Sequence, residues 1–178
     1  MFEGKIMFSS FWNFAERLCR LVSLKNTGSF AIISFSCKRS INALNCPSGY
    51  VIGTDSLCYK VYDTHSSYRD ASAKCLSDGG HLASIHNAFA NSLVQQLGQN
   101  AGTVIWLGLN CPDTNANNCR WVDGMGTPAT YNAFYPGNPS GIGECVLMMI
   151  SGAANGRWVT GDCDSMQIGF ACQVDVQS

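Results

Sequence analysis

Ten cysteines in 178 residues, eight of them between Cys46 and Cys172, constrain this chain more than any other feature. In a compartment that keeps thiols reduced, so many would have to serve metals or catalysis. The spacing supports neither use. Structural zinc sites bring two ligands onto a tight knuckle, and no Cys-x-x-Cys occurs here; the nearest pairs are Cys111/Cys119, Cys163/Cys172 and Cys37/Cys46. A nucleophilic cysteine needs a positioned base, and His65, His81 and His86 are the only histidines. A disulfide framework in an oxidising, extracellular setting is the economical explanation.

Charge divides the chain near Asn45. Residues 1–45 hold six Lys/Arg and two Asp/Glu, the remainder five and ten, which leaves the larger part at −5. It has no basic stripe for nucleic acid. The division predicts an N-terminal extension over 1–45, a domain over 46–173 and a tail over 174–178. In the extension, Phe8, Phe11, Trp12, Ala15, Leu18, Cys19 and Val22 follow helical spacing and predict an amphipathic helix. The apolar run Phe30 to Phe35 is too short to span a bilayer and reads as a weak signal-peptide core set too deep in the chain. The extension is thus either a leader or gene-model artefact, or a genuine helix packed on the domain. Cys19 and Cys37 either pair with each other or leave with a leader.

From Asn45 the local signals are clear. Cys46 and Cys58 bracket a turn-rich stretch, Ile52-Gly53-Thr54-Asp55, expected as a small hairpin. Tyr59 to Tyr62 alternates as a strand. Ser67 with Asp70 forms a capping box opening a helix that buries Tyr68, Ala71, Cys75 and Leu76 and stops at Gly79-Gly80. Asn87 caps a second helix with Phe89, Ala90, Leu93, Val94 and Leu97 on one face and Gly98 at its end. Thr103 to Leu109 is an apolar run suited to a buried central strand. A loop region rich in Asn, Gly and Pro spans about 110–155, and loops of that length in compact domains are usually functional. Glu144 to Ile150, Arg157 to Val159 and Ile168 to Cys172 supply closing strands.

Several of these segments, taken in order, carry a family resemblance. Cys46-x-x-Gly49-Tyr50, Cys75, His81-Leu82-Ala83-Ser84-Ile85, Trp106-Leu107-Gly108-Leu109, Trp121-Val122-Asp123-Gly124, and Cys145, Cys163 and Cys172 resemble a C-type lectin-like domain over residues 46–173. The resemblance implies an α+β fold, two helices packed on small antiparallel sheets with a long loop region, stapled by disulfides. It implies pairing of Cys75 with Cys172 and Cys145 with Cys163, with Cys46–Cys58 as the extra bridge of long-form members. Cys111 and Cys119 remain as a local bridge, where relatives often place acidic ligands for an auxiliary calcium. Here Asp113 stands alone between Cys111 and Asn115.

The resemblance also frames the functional question. Sugar-binding members hold calcium through Glu-Pro-Asn or Gln-Pro-Asp, a nearby Glu, and an Asn-Asp pair after a tryptophan, and calcium demands six to eight hard oxygens. This chain has Asn138-Pro139-Ser140, Gly143 before Glu144, and Val159-Thr160 after Trp158. No metal site is therefore expected, although Asn138, Ser140, Glu144 and Asp162 could surround a calcium ion in altered geometry and are the candidate ligand-binding residues. Alternatively Asp162 caps a turn and Asp164 bonds nearby backbone. Trp106, Trp121 and Trp158 are expected in the core, Tyr131, Phe134 and Tyr135 either against a ligand or as loop anchors, and His81 and His86 in capping or packing roles.

No Gly-x-Ser-x-Gly, His-Glu-x-x-His or paired-carboxylate cleft supports an enzyme, and the glycines at 137, 141 and 143 lack the lysine and helix of a phosphate loop. The expectation is a secreted recognition module, calcium-independent, binding a protein or glycan with the long-loop surface. A calcium-dependent lectin with a modified site, or a structural matrix domain, are the alternatives. The single Asn-x-Ser/Thr match, Asn138-Pro139-Ser140, is blocked by its proline, so no N-glycan is expected.

Overall fold

A computed structural model of the chain describes residues 17–27, 30–39, 45–125 and 131–177. The chain divides into two compact units, residues 1–43 and 44–178.

In the first unit, β1 (Arg17–Thr27) pairs antiparallel with β2 (Phe30–Arg39), and the register sets Cys19 opposite Cys37. Arg17 to Val22, expected as the second half of an amphipathic helix, are thus extended; residues 8–16 lie outside the described residues. The aromatic and β-branched run beginning at Phe30 supplies a partner strand, and a ladder satisfies the backbone groups that a helix would otherwise claim.

The second unit opens with β3 (Val51–Ile52) and β4 (Leu57–Ser66), the hairpin expected between Cys46 and Cys58. Helix α1 (Tyr68–Ser77) starts where Ser67 Oγ accepts the Asp70 amide at 3.2 Å and ends at Asp78 before Gly79, whose φ of +86° suits glycine. β5 (His81–Leu82) follows, then α2 (Ala88–Ala101), whose Asn87 side chain caps Ala90 N at 2.9 Å. β6 (Ile105–Asn110), β7 (Arg120–Trp121), β8 (Cys145–Met148), β9 (Trp158–Gly161) and β10 (Ile168–Asp175) complete the unit. They form one eight-stranded sheet in the order β3-β4-β10-β6-β8-β9, with β5 on β10 and β7 on β6. β10 and β6 run parallel, and the other pairings among the described strands are antiparallel. Gln177 and Asn45 exchange backbone hydrogen bonds, which joins the two ends of this unit.

Helices cover both faces of the sheet, which explains the unbroken apolar run in β6. Ile105, Leu107 and Leu109 point toward the cluster that holds Ala90 and Val94 of α2, while Trp106 points toward Ala71 and Cys75 of α1. Two expected core positions are instead on the surface: Leu76 is 65% exposed and Phe89 72% exposed. Each sits at the edge of its helix's apolar stripe, outside both core clusters. Gly98 does not end α2. It lets the helix approach Ile150 and Ile105, and the terminating residue is Gly102 at φ +70°.

All four expected bridges in this unit are present: Cys46–Cys58, Cys75–Cys172, Cys111–Cys119 and Cys145–Cys163. Cys75–Cys172 ties α1 to β10 across 97 residues, and in the chain-entropy model such closure contributes about 4 to 5 kcal/mol. The 8-residue closure at Cys111–Cys119 contributes only about 2.5 kcal/mol. Between hairpin and helix, Tyr50 and Tyr62 hydroxyls donate to Asp78 Oδ2, and Lys74 pairs with Asp78 Oδ1. Partial burial pushes the Asp78 carboxyl up, but the hydrogen bonds from Lys74, Tyr62 and Tyr50 outweigh it and hold the group at about 2.

Three outcomes follow for stability. Urea unfolding of a Cys75→Ala/Cys172→Ala chain loses about 4 kcal/mol, more than the loss from removing Cys111 and Cys119 together. A β-carbon at Gly108 would sit 2.5 Å from the Leu82 carbonyl oxygen, so Gly108→Ala destabilises by about 1 to 3 kcal/mol. The Asp78 contribution is complete above its ordinary value of 3.8 and disappears as pH falls from there to about 2, so acid unfolding of Asp78→Asn shows a shallower dependence over that window.

Candidate functional site

Trp158 organises the long-loop region. Its ring is fully buried and receives three others edge-on: Trp121 at 5.3 Å, Tyr131 at 5.7 Å and Phe134 at 5.6 Å between centroids. Its Nε1–H donates to Asn91 Oδ1 on α2 at 2.9 Å. Its backbone N–H donates to the Ala133 carbonyl, and its carbonyl accepts from Tyr135 N, both at 2.9 Å. Tyr131 and Phe134 therefore anchor the loop rather than stand free for a ligand. Nothing in the sequence marks the polar Asn91 as functional, yet it is buried on the same helix as Ala90 and Val94.

From this post the loop runs to Asn138, whose amide donates to the Tyr135 carbonyl at 3.0 Å. Thr160, two residues beyond Trp158 on β9 and only 8% exposed, meets it. Asn138 Oδ1 accepts from Thr160 N at 3.0 Å and from Thr160 Oγ1 at 3.4 Å. Thr160 Oγ1 accepts in turn from Ser140 N, with Ser140 Oγ also 3.0 Å away. A hydroxyl offers one donor and two acceptor positions, and all three are used. Val159 turns to the opposite side and packs against the cluster containing Leu147 and Cys145.

The acidic candidates stand apart from this lattice. The Cys145–Gly161 pairing brings Glu144 and Asp162 to neighbouring positions, both exposed, with no hydrogen bond to Asn138 or Ser140. Asp162 Oδ1 accepts from Ser165 N at 2.7 Å and Asp164 N at 3.0 Å, a local turn cap. Those bonds, chiefly from Ser165, hold its carboxyl below the ordinary value. Asp113 is likewise consumed locally, accepting from Asn115 N and Asn118 Nδ2, each at 2.7 Å, inside the Cys111–Cys119 loop. Among the described residues no three His, Cys, Asp or Glu side chains are grouped to hold a metal ion.

The histidines play supporting parts. The His81 ring bonds the Leu82 carbonyl through Nδ1 at 2.8 Å, and His86 Nε2 lies 2.7 Å from Asp123 Oδ2 with its ring edge-on to Trp121. Burial pushes the Asp123 carboxyl up, but hydrogen bonds from His86 and from Met125 N more than offset this. The link fixes the start of the long loop to the turn preceding α2. No sequence pattern pointed to it, because the partners are 37 residues apart.

The lectin C-type domain model matches residues 64–174, and the chain belongs to that family. Snaclec B9 of Macrovipera lebetinus is 34% identical over 137 residues, covering 74% of this chain and 77% of its own. The type-2 ice-structuring protein of Brachyopsis segaliensis is 29% identical over 120 residues, 67% of each chain. Among solved structures, a calcium-independent type II antifreeze protein superposes with a TM-score of 0.65 at 25% identity, covering 77% of this chain and 99% of that one. Human lithostathine superposes at 0.63 with 25% identity, covering 74% and 91%.

Thr160→Val keeps the shape and removes the hydroxyl. It leaves the Ser140 amide without an acceptor and lowers stability by about 1 to 3 kcal/mol in chemical denaturation, whereas Glu144→Gln on the surface changes it by less than about 0.5 kcal/mol.

Proposed function

We propose that this lectin-family domain is an extracellular recognition module that works without calcium and meets a protein or glycan ligand with the surface bearing Asn138, Ser140, Glu144 and Asp162. The observation that carries the reading is the Thr160 hydroxyl. It occupies the centre of the loop's polar groups with a neutral, fully paired hydrogen-bond junction. A calcium ion needs six to eight oxygens, several of them charged. Binding one here would require Asn138 to surrender its bonds to Thr160, and Asp162 Oδ1 to surrender two backbone amides.

The oxidised framework supports an extracellular setting, since four bridges of this kind persist where thiols are not kept reduced. Among the described residues no helix is long and apolar enough to cross a membrane. That one structural relative is described as calcium-independent supports the view that this fold holds its loops without the ion. Here Trp158, Cys145–Cys163 and Cys111–Cys119 do that work. The exposed, adjacent Glu144 and Asp162 are the feature that favours the alternative, a calcium-dependent lectin with a modified site.

Calorimetric titration of the full chain with calcium is expected to show no site with a Kd at or below about 1 mM, the weak end for extracellular modules. Ligands captured on a combined glycan and protein array are expected to persist in EDTA. A site of that affinity, or capture abolished by EDTA, overturns the reading in favour of the lectin. An array with no binding at all favours a structural role.

A further inference from the structure

The loop between β8 and β9 contains the one asparagine in the chain that is followed by glycine, Asn155-Gly156. Glycine is the residue after which an asparagine side chain is attacked most readily by the next backbone nitrogen, because no β-carbon shields that nitrogen. The fold demands the glycine. Gly156 has φ +73°, and a β-carbon there would sit 2.6 Å from Gln95 Oε1. The hazardous dipeptide is therefore imposed chiefly by the left-handed backbone of this loop at Gly156, the Gln95 contact being with the end of a flexible side chain.

We propose that Asn155 is a latent deamidation site held closed by α2. Ring closure needs the Gly156 nitrogen to lose its proton and swing beneath the Asn155 side chain. Four hydrogen bonds and the local backbone angle oppose this. Gly156 N–H is engaged by the Met149 carbonyl at 2.8 Å, while the Gly156 carbonyl accepts from Asn91 Nδ2 at 3.0 Å. Asn155 Oδ1 accepts from Gln95 Nε2 at 3.0 Å and Gln99 Nε2 at 3.1 Å, which holds its Cγ toward the helix. The Asn155 backbone sits at ψ 124°, which turns the Gly156 nitrogen to the wrong side of the Cα–C bond for attack. Gln99 is also tied to the Ile150 carbonyl at 3.2 Å, so the guard is braced from both ends of the loop.

When the clamp opens, the Gly156 nitrogen gives its proton to solvent base and bonds to Asn155 Cγ. The Cγ–Nδ2 bond breaks, and ammonia departs with a proton from solvent. Water then adds to one of the two carbonyls of the resulting succinimide and opens it to an aspartyl or an isoaspartyl residue. Nothing is oxidised or reduced. Asn155 is exposed, so water has access. The product places a carboxylate beside the exposed Arg157. In its isoaspartyl form it adds a methylene to the backbone that Gly156 and Arg157 use to pair with Met149, two residues from Trp158.

Peptide-mapping mass spectrometry of the full chain at neutral pH tests this. Conversion at Asn155 is expected to be slower in the folded chain than in the urea-unfolded, reduced chain by about tenfold or more, as for any reaction gated by local opening. In a folded Q95A/Q99A chain it is expected to rise severalfold over wild type, with Asn100, which is followed by Ala101, unchanged. Equal wild-type rates folded and unfolded, or no conversion at Asn155 even when unfolded, overturn the proposal. A folded double variant with wild-type rates overturns the role of the glutamines. Should that variant not fold, the wild-type comparison decides.

Discussion

The buried indole of Trp158 is the point on which the domain's irregular half depends. Loop segments carry backbone groups that need partners and little apolar surface with which to hold themselves. Here one residue collects three aromatic edges and a helix side chain through its ring, and two loop bonds through its backbone. Each aromatic pair contributes about 0.5 to 1.5 kcal/mol beyond area burial. Because the ring's nitrogen is satisfied by Asn91 in the interior, the loop is fixed in orientation as well as in place, with α2 as the reference.

Disulfides and sheet divide the remaining work. The antiparallel pairing of β10 with β4 brings the beginning and the end of this unit together within the sheet, and Cys75–Cys172 secures the long closure between α1 and β10 beside it. Glycine enters where backbones come close, as at Gly108 beside Leu82, so the Trp106-Leu107-Gly108-Leu109 segment is a packing motif as much as a signature. The shorter bridges fasten loop edges to the core: Cys111 and Cys119 are buried in the cluster that holds Trp121 and Trp158, and Cys145 in the one that holds Leu147.

Much of this was legible in the residues. Ser67 and Asn87 capped as their chemistry implied, β6 read as a buried strand, and the resemblance supplied a wiring that spacing alone left open. The failures have physical causes. Leu76 and Phe89 satisfy helical periodicity, which reports an angular position and not how far the sheet extends beneath it. Gly98 looks like a stop because its other use, close approach to Ile105 and Ile150, exists only in the tertiary structure. Residues 17–22 carry a helical pattern, yet an antiparallel partner strand at Phe30–Arg39 takes the backbone. At the candidate site the loss of charged oxygens was visible in Val159-Thr160 and Asn138-Pro139-Ser140. That Thr160 would gather Asn138 and Ser140 around its own hydroxyl was not, since it depends on where β9 meets the loop.

The proposed reading is of a domain that keeps the lectin framework and closes its long loop with a neutral hydrogen-bond junction at Thr160 in place of a cation. Heat unfolding of the full chain in millimolar calcium and in EDTA tests that most directly, because any ligand bound only by the folded state adds stability, about 2.7 kcal/mol at a hundredfold excess over Kd. Coincident transitions are expected. A midpoint higher in calcium by roughly 5 °C or more would contradict it.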